Sequence, residues 1–395
     1  MLPPSNGRHR GKSLGATCAL AMLALGACDA DNQANVPIVI GPEAVTILGQ
    51  DTLGGIFVDV SELNGGAAYL STTDPFITLI NRSGAVTRQF GIGGEGPGEF
   101  RNPTSIDVLA DTIYVWDVRQ GAASMYDTVG NYLGRRRGNA SFGGVQKNAR
   151  TNYAGRPGMY RRFGSLAVTA AYPNGVGMPG EERAYSLLAL DDSGEVVDTT
   201  WTSSLPPSAN ERAPNQPAEL LPIPVWAKCS NAQLVVYDPN LSVSFLRTPE
   251  GKEFRQIPSG AEPVEISNAG LHGYVSFNFR RLLLDAHQAP PISFDEDMTK
   301  WVQQAEAMGL YPKEYNGYTS VLCTRRGEVW LNAFSLEDSP LGYSRDWILV
   351  SEGPNRRLLS LPNGFRLMLL TEKRGYGVVM DSTTAESPAW INLPE

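Results

Sequence analysis

Apolar residues in this chain come mostly in short runs, broken by turns rich in Gly, Asp, Asn and Pro. Runs of that length between turn residues predict short β-strands. The clearest unit is residues 91–117, GIGGEGPGEFRNPTSIDVLADTIYVWD: a glycine-rich corner, an apolar run, the turn-like Ala110-Asp111 and a second apolar run. The order recurs. AYLSTTDPFITLINRSG at 68–84 can be laid on IYVWDVRQGAASMYDTVG at 113–130, with Tyr69 on Tyr114 and Gly84 on Gly130. LVVYDPNLSVSFLRTPEG at 234–251 repeats it 121 residues further on, with Asp238 in the place of Asp117 and Gly251 in that of Gly130. A divergent copy occupies Leu166 to Tyr172, Tyr185 to Leu190 and Glu195 to Trp201. A fifth runs through VWLNAF (329–334), DWILVSEG (346–353) and RRLLSL (356–361), and a sixth, 365–393, ends one strand short.

Four strands per unit at a period of about 45 to 60 residues is propeller spacing. The expected fold is therefore all-β: a six-bladed β-propeller with four-stranded antiparallel blades. Residues 36–48, VPIVIGPEAVTIL, have no copy of their own. They are expected to supply the missing strand of the last blade, closing the ring and removing a free sheet edge. Two stretches break the repeat. Residues 203–224 are Pro-rich and polar and read as an exposed inter-blade loop. Residues 268–317 hold helix-compatible runs; from Phe294 to Leu310, Trp301, Ala305 and Met308 recur at helical spacing behind acidic residues. That predicts a short helix packed on a propeller face, as a spacer or a lid.

Composition agrees with many short strands: 41 Gly and 28 Pro are spread through the 395 residues, and 42% hydrophobic content is ample for a packed core. The first residues differ from the rest. A basic segment (Arg8, Arg10, Lys12) precedes an uncharged run from Ser13 to Ala27, too short to span a bilayer once its polar start is trimmed. This is the order of a signal peptide. Its removal takes away three basic groups and no acidic one, moving the formal net charge from -8 to -11. So acidic a surface argues against nucleic acid as a partner.

Leu25-Gly26-Ala27-Cys28 resembles the lipobox of bacterial lipoproteins, which implies that Cys28 becomes a lipidated N-terminus. The expected domains are then a signal peptide at 1–27, a polar tether at 28–35 and the propeller at 36–395. The GEGPGEFRNPTSIDV…IYVWD pattern, with the lipobox and the closing segment, resembles bacterial six-bladed propellers related to NHL repeats, over about residues 45–393. That resemblance implies a fold and a cell-envelope location, not an activity, because such propellers host lyases, lactonases, signalling domains and binders.

Candidate chemistry is sparse. Asp117, Asp238 and Asp381 end the second strands of alternate blades; ring-related carboxylates suggest a metal, but aspartate there commonly accepts N–H bonds from the following turn. Glu99 reads as an organiser of the GPGEF corner. The glycines 91, 93, 94, 96 and 98 lack the strand-before, helix-after setting of a dinucleotide loop. Only His272 and His287 follow Cys28, in no HExxH or clustered setting, so a zinc site of the usual kind is not expected. Lactonases similar to regucalcin, also six-bladed, hold a metal through acidic and amide groups around the channel; no such set is assignable here, and no cofactor is indicated. Cys229 and Cys323 sit at similar places in successive repeats and stand either as two buried thiols or as one disulfide. Arg161, Arg162, Arg325 and Lys373, with Tyr160 and Tyr318, fall near strand ends that would ring the channel, where they would suit an anionic or sugar-like ligand. The expected function is a lipid-anchored, extracytoplasmic module that binds a ligand or partner protein without catalysis; the alternative is a metal-dependent lactonase-like hydrolase or a lyase.

Overall fold

The computed structural model describes residues 37–48, 56–137, 160–171, 183–205, 224–229, 232–285, 293–307, 313–315, 317–339, 342–350, 357–380 and 385–393. Cys28, His287, Met308 and Asp381 lie outside these.

Six antiparallel sheets form a ring. Their first strands are innermost: Phe57–Leu63 in blade 1, Pro103–Leu109 in blade 2, Tyr160–Phe163 in blade 3, Val225–Lys228 in blade 4, Tyr318–Cys323 in blade 5 and Phe365–Leu370 in blade 6. Each is followed outward by the next strands of its repeat. The apolar runs are strands buried on both faces, because each blade packs on two neighbours. In the seam between blades 1 and 2, Leu63, Ala68, Leu70 and Ile77 meet Ile106, Ile113, Val115 and Tyr126. At about 1.5–3 kcal/mol per large buried side chain, such seams hold the ring together.

The recurring glycines close the turns between third and fourth strands. Gly84 and Gly130 have φ of +90° and +89°, a left-handed conformation that side chains with a Cβ resist. A Cβ on Gly130 would lie 2.7 Å from the Phe90 ring. The GPGEF corner is likewise turn chemistry: the Gly96 N–H donates to Glu99 Oε2 at 2.7 Å, and Phe100 is buried against Phe76 and Tyr126.

Ring closure differs in one respect from the expectation of a single strand. Val45–Ile47 does pair antiparallel with Glu386–Asn392, completing blade 6. Ile38–Val39, however, is separated from it by a 3-10 turn at Pro42–Ala44 and pairs parallel with Arg357–Ser360, giving blade 5 a fifth strand. Pro42 lacks an N–H and sets its own φ, so the segment bends and its halves serve different blades. A polar latch joins the last blade to the first: Glu386 accepts from the Phe57 N–H at 2.6 Å and from Arg366 at 2.7 Å, and Arg366 donates to the Phe57 carbonyl at 2.8 Å.

The insertion between blades 4 and 5 holds two helices where one short helix was expected: α1 (Asn268–Asp285) and α2 (Phe294–Ala307). Asp295, Glu296 and Asp297 lie in the first turn of α2, where negative charge suits the helix dipole, and Ser293 donates to Asp297 at 2.7 Å. The buried face of α2 is Phe294, Met298 and Val302, with Trp301 partly buried against it, and it meets Leu271, Tyr274 and Val275 of α1 and Phe334 of blade 5. A short ladder between Val264–Glu265 and Glu314–Tyr315 ties the base of the insertion. The first residues of the expected loop at 203–224 are strand instead, because the outer strand of blade 3 continues to Leu205; residues 206–223 lie outside the described residues. Thr200 and Ser203 are buried on that strand, so it can carry polar residues at the blade's edge.

Candidate functional site

The six inner strands enclose a central cavity of about 370 Å³. Every blade contributes, and among the described residues neither helix does. Its wall is divided. Apolar groups come chiefly from blades 4 to 6, among them Val225, Trp226, Val321, Leu322 and Met368; the acids come from blades 1 and 2.

Three ion pairs cross this channel, each spanning a blade. Arg161 of blade 3 reaches over blade 2 to Asp59 of blade 1, with Nη1–Oδ2 at 2.7 Å and Nη2–Oδ1 at 2.9 Å. Lys228 of blade 4 reaches over blade 3 to Asp107 of blade 2, at 3.1 and 3.3 Å. Arg325, just past the inner strand of blade 5, reaches over blade 6 to Glu62 of blade 1 at 3.0 Å. The first two pairs are buried; the third is at the rim, with side chains 74% and 30% exposed.

The buried acids also receive main-chain donors. Asp59 accepts from the N–H groups of Val60 and Ile106, and Asp107 from those of Val108 and Arg162. Each carboxylate thus takes four donor contacts, about its full lone-pair capacity. Burial works against the charge on Arg161, but Asp59, joined by Asp107, more than offsets it and holds the guanidinium above its ordinary range. These groups fasten inner strands to one another, and Asp107, Arg161 and Lys228 also line the cavity.

The residues singled out from sequence divide by strand alternation. Arg161 lies in the cavity wall, whereas its neighbours Tyr160 and Arg162 enter the seam with blade 2. Tyr160 stacks on Trp116, with ring centroids 5.1 Å apart, and burial raises its hydroxyl pKa. Arg162 lies over Tyr114 and donates to Asp192 at 2.8 Å. On blade 5, Thr319 lines the cavity while Tyr318 packs against Tyr237 and donates to the Gly260 carbonyl at 3.1 Å. Arg325 is at the rim, and Lys373 is exposed and outside the wall. The six therefore do not converge: two line the cavity and four do not.

Asp117 accepts four main-chain N–H bonds, from Arg101, Asn102, Arg119 and Gln120, and Asp238 accepts one from Asn240. Both are turn organisers. His272 lies within hydrogen-bond distance, 3.1 Å, of the Thr299 hydroxyl between the two helices. Among the described residues no three His, Cys, Asp or Glu side chains are gathered to hold a metal ion. Cys229 and Cys323 form a disulfide, with Cα atoms 4.7 Å apart, joining the inner strands of blades 4 and 5 in the cavity wall.

Asp59, Glu62, Asp107 and Lys228 were not among the candidates from sequence. A charged residue inside an inner strand was the available signal, since burial of such a group demands a partner.

The sequence matches no protein-family model and no curated protein. Similar solved structures include a protein predicted to be exported from Bacteroides fragilis (12% identity, 89% of this chain and 96% of that one, TM-score 0.48). Another is a member of a family of unknown function from Bacteroides vulgatus (11%, 89% and 96%, TM-score 0.47). A third is a gluconolactonase from Xanthomonas campestris (9%, 86% and 86%, TM-score 0.42). Likenesses this distant carry nothing about the chemistry of this chain.

Proposed function

We propose that this chain is an extracytoplasmic, lipid-anchored propeller that holds a small polar ligand in its central channel without transforming it. The observation that carries the reading is the cavity itself. Its volume falls within the roughly 300–1,000 Å³ range of small-molecule sites, and its apolar wall faces a few fixed polar groups. The buried carboxylates of Asp107, in the cavity wall, and of Asp59, paired with Arg161 of that wall, are engaged by four donor contacts each, which supports binding over proton transfer: a general base needs a lone pair free to take a proton. The disulfide in the wall suits an oxidising compartment and thus the signal-peptide reading.

Titration calorimetry of the mature protein against monosaccharides and disaccharides tests the site. At least one sugar is expected to bind. Ser320→Trp, which places a large ring on the cavity wall, is expected to weaken that binding at least tenfold while thermal unfolding stays unchanged. Binding insensitive to this variant would place the ligand elsewhere, and no binding by any sugar would remove the carbohydrate-sized reading.

The anchor has its own test. Cys28→Ser is expected to abolish incorporation of an azido fatty acid and to release the protein from membranes; labelling that persists would refute lipidation at Cys28.

A further inference from the structure

We infer that the central channel selects hydroxyl-rich ligands bearing a carboxylate, such as sugar acids, and that Arg325 takes the carboxylate in exchange for Glu62. This deepens the proposed function and rests on it. The argument is a count of donors and acceptors around the cavity. Asp59 and Asp107 are saturated, with four donor contacts each from Val60, Ile106 and Arg161, and from Val108, Arg162 and Lys228. They have little acceptor capacity left for a ligand.

The donors are not used up. Arg325 carries five N–H groups in a planar fork and, among the described residues, gives one side-chain hydrogen bond, from Nη2 to Glu62 Oε2 at 3.0 Å. Lys228 has three protons and gives its hydrogen bonds to one carboxylate, with the Phe163 ring 5.7 Å away. The Ser61 hydroxyl accepts from the Val108 N–H at 3.1 Å, which leaves its own proton to give. A cavity that offers donors is matched by a ligand that offers acceptors, and a carboxylate offers the most per atom.

The rim pair is where such a group can enter. Arg325 and Glu62 are 74% and 30% exposed and joined through a single N–H. An exposed single-contact ion pair is weak and readily surrendered. A ligand carboxylate can engage the guanidinium fork through both oxygens, a geometry that Glu62 does not adopt here. Glu62, already partly in solvent, then turns outward. The Arg161–Asp59 pair is unsuited to the same exchange, being bidentate and buried. Glu62 therefore acts as a placeholder for the ligand's acid group, and Arg325 sets specificity.

The test compares glucose, glucuronate and glucose 6-phosphate by calorimetry on the mature protein at low and high salt. Glucuronate is expected to bind at least tenfold more tightly than glucose, with the margin shrinking as salt rises. Arg325→Gln should collapse that ratio toward one, and Glu62→Gln should tighten glucuronate about threefold or more by removing the competing acid. Both residues are exposed enough that unchanged thermal unfolding will confirm intact variants. Equal affinity for glucose and glucuronate would overturn the carboxylate inference and leave the channel reading standing. A tighter fit for the phosphate would overturn it in favour of phosphate. If no sugar binds, the carboxylate inference falls together with the carbohydrate-sized reading of the channel. Weaker glucuronate binding in Glu62→Gln would show that Glu62 supports the ligand, contrary to the exchange.

Discussion

Asp59→Ala is expected to lower the free energy of unfolding by about 3–5 kcal/mol, the usual cost of stripping the partner from a buried ion pair. Asp59 is fully buried at 0% exposure, and its loss strands the Arg161 guanidinium in the channel wall. It also removes the acceptor of the Ile106 N–H, so the inner strands of blades 1 and 2 lose a direct tie. The measurement is urea unfolding followed by tryptophan fluorescence, with the slope checked for constancy. The double variant Asp59→Leu, Arg161→Leu should recover much of the loss, since neither charge is then left alone. A single-variant loss below about 1 kcal/mol would mean that water or another acid compensates Arg161, and that the pair does not fasten blade 3 to blade 1.

Replacing both Cys229 and Cys323 by Ala should cost about 4 kcal/mol. The bridge closes a sequence separation of 94 residues, and the chain-entropy account gives about 4–5 kcal/mol for loops of that size. The same loss should follow reduction by excess dithiothreitol, with two thiols then available to iodoacetamide under denaturing conditions. Intact protein that alkylates at both cysteines without reductant, and whose unfolding ignores reductant, would show that the bridge does not form. Lys228 immediately precedes Cys229, and Arg325 follows two residues after Cys323, so the bridge also fixes the places from which both cations reach across the channel.

The propeller was legible because its turns are written locally. Gly84 and Gly130 recur with the strands around them, and both adopt the left-handed conformation that makes glycine the favoured residue at those turns. The N-terminal segment was legible as a closing strand, but its division between blades 5 and 6 was not, since a two-residue parallel pairing leaves little pattern. The site was harder to read. Tyr318 and Thr319 are adjacent, and only register decides which one faces the cavity. Arg161 and Asp59 lie 102 residues apart, and Lys228 and Asp107 lie 121 apart. Partners brought together by ring geometry share no local motif, so each looks like an ordinary charge in an ordinary strand.

The latch between Glu386 and the Phe57 N–H joins groups 329 residues apart, beside the strand that completes blade 6. Closing a chain loop of that length costs about 5 kcal/mol of entropy before any seam rewards it. The first of these partners leaves any vectorial passage of the chain, synthesis or export, long before the last, so the N-terminal strand has no partner until the C-terminal one arrives. Blades 1 to 4 can assemble from neighbouring sequence in the meantime, and the circle shuts in one late step. The time taken by that step, rather than by any single blade, sets how long an unfinished and sticky edge is on offer to other chains.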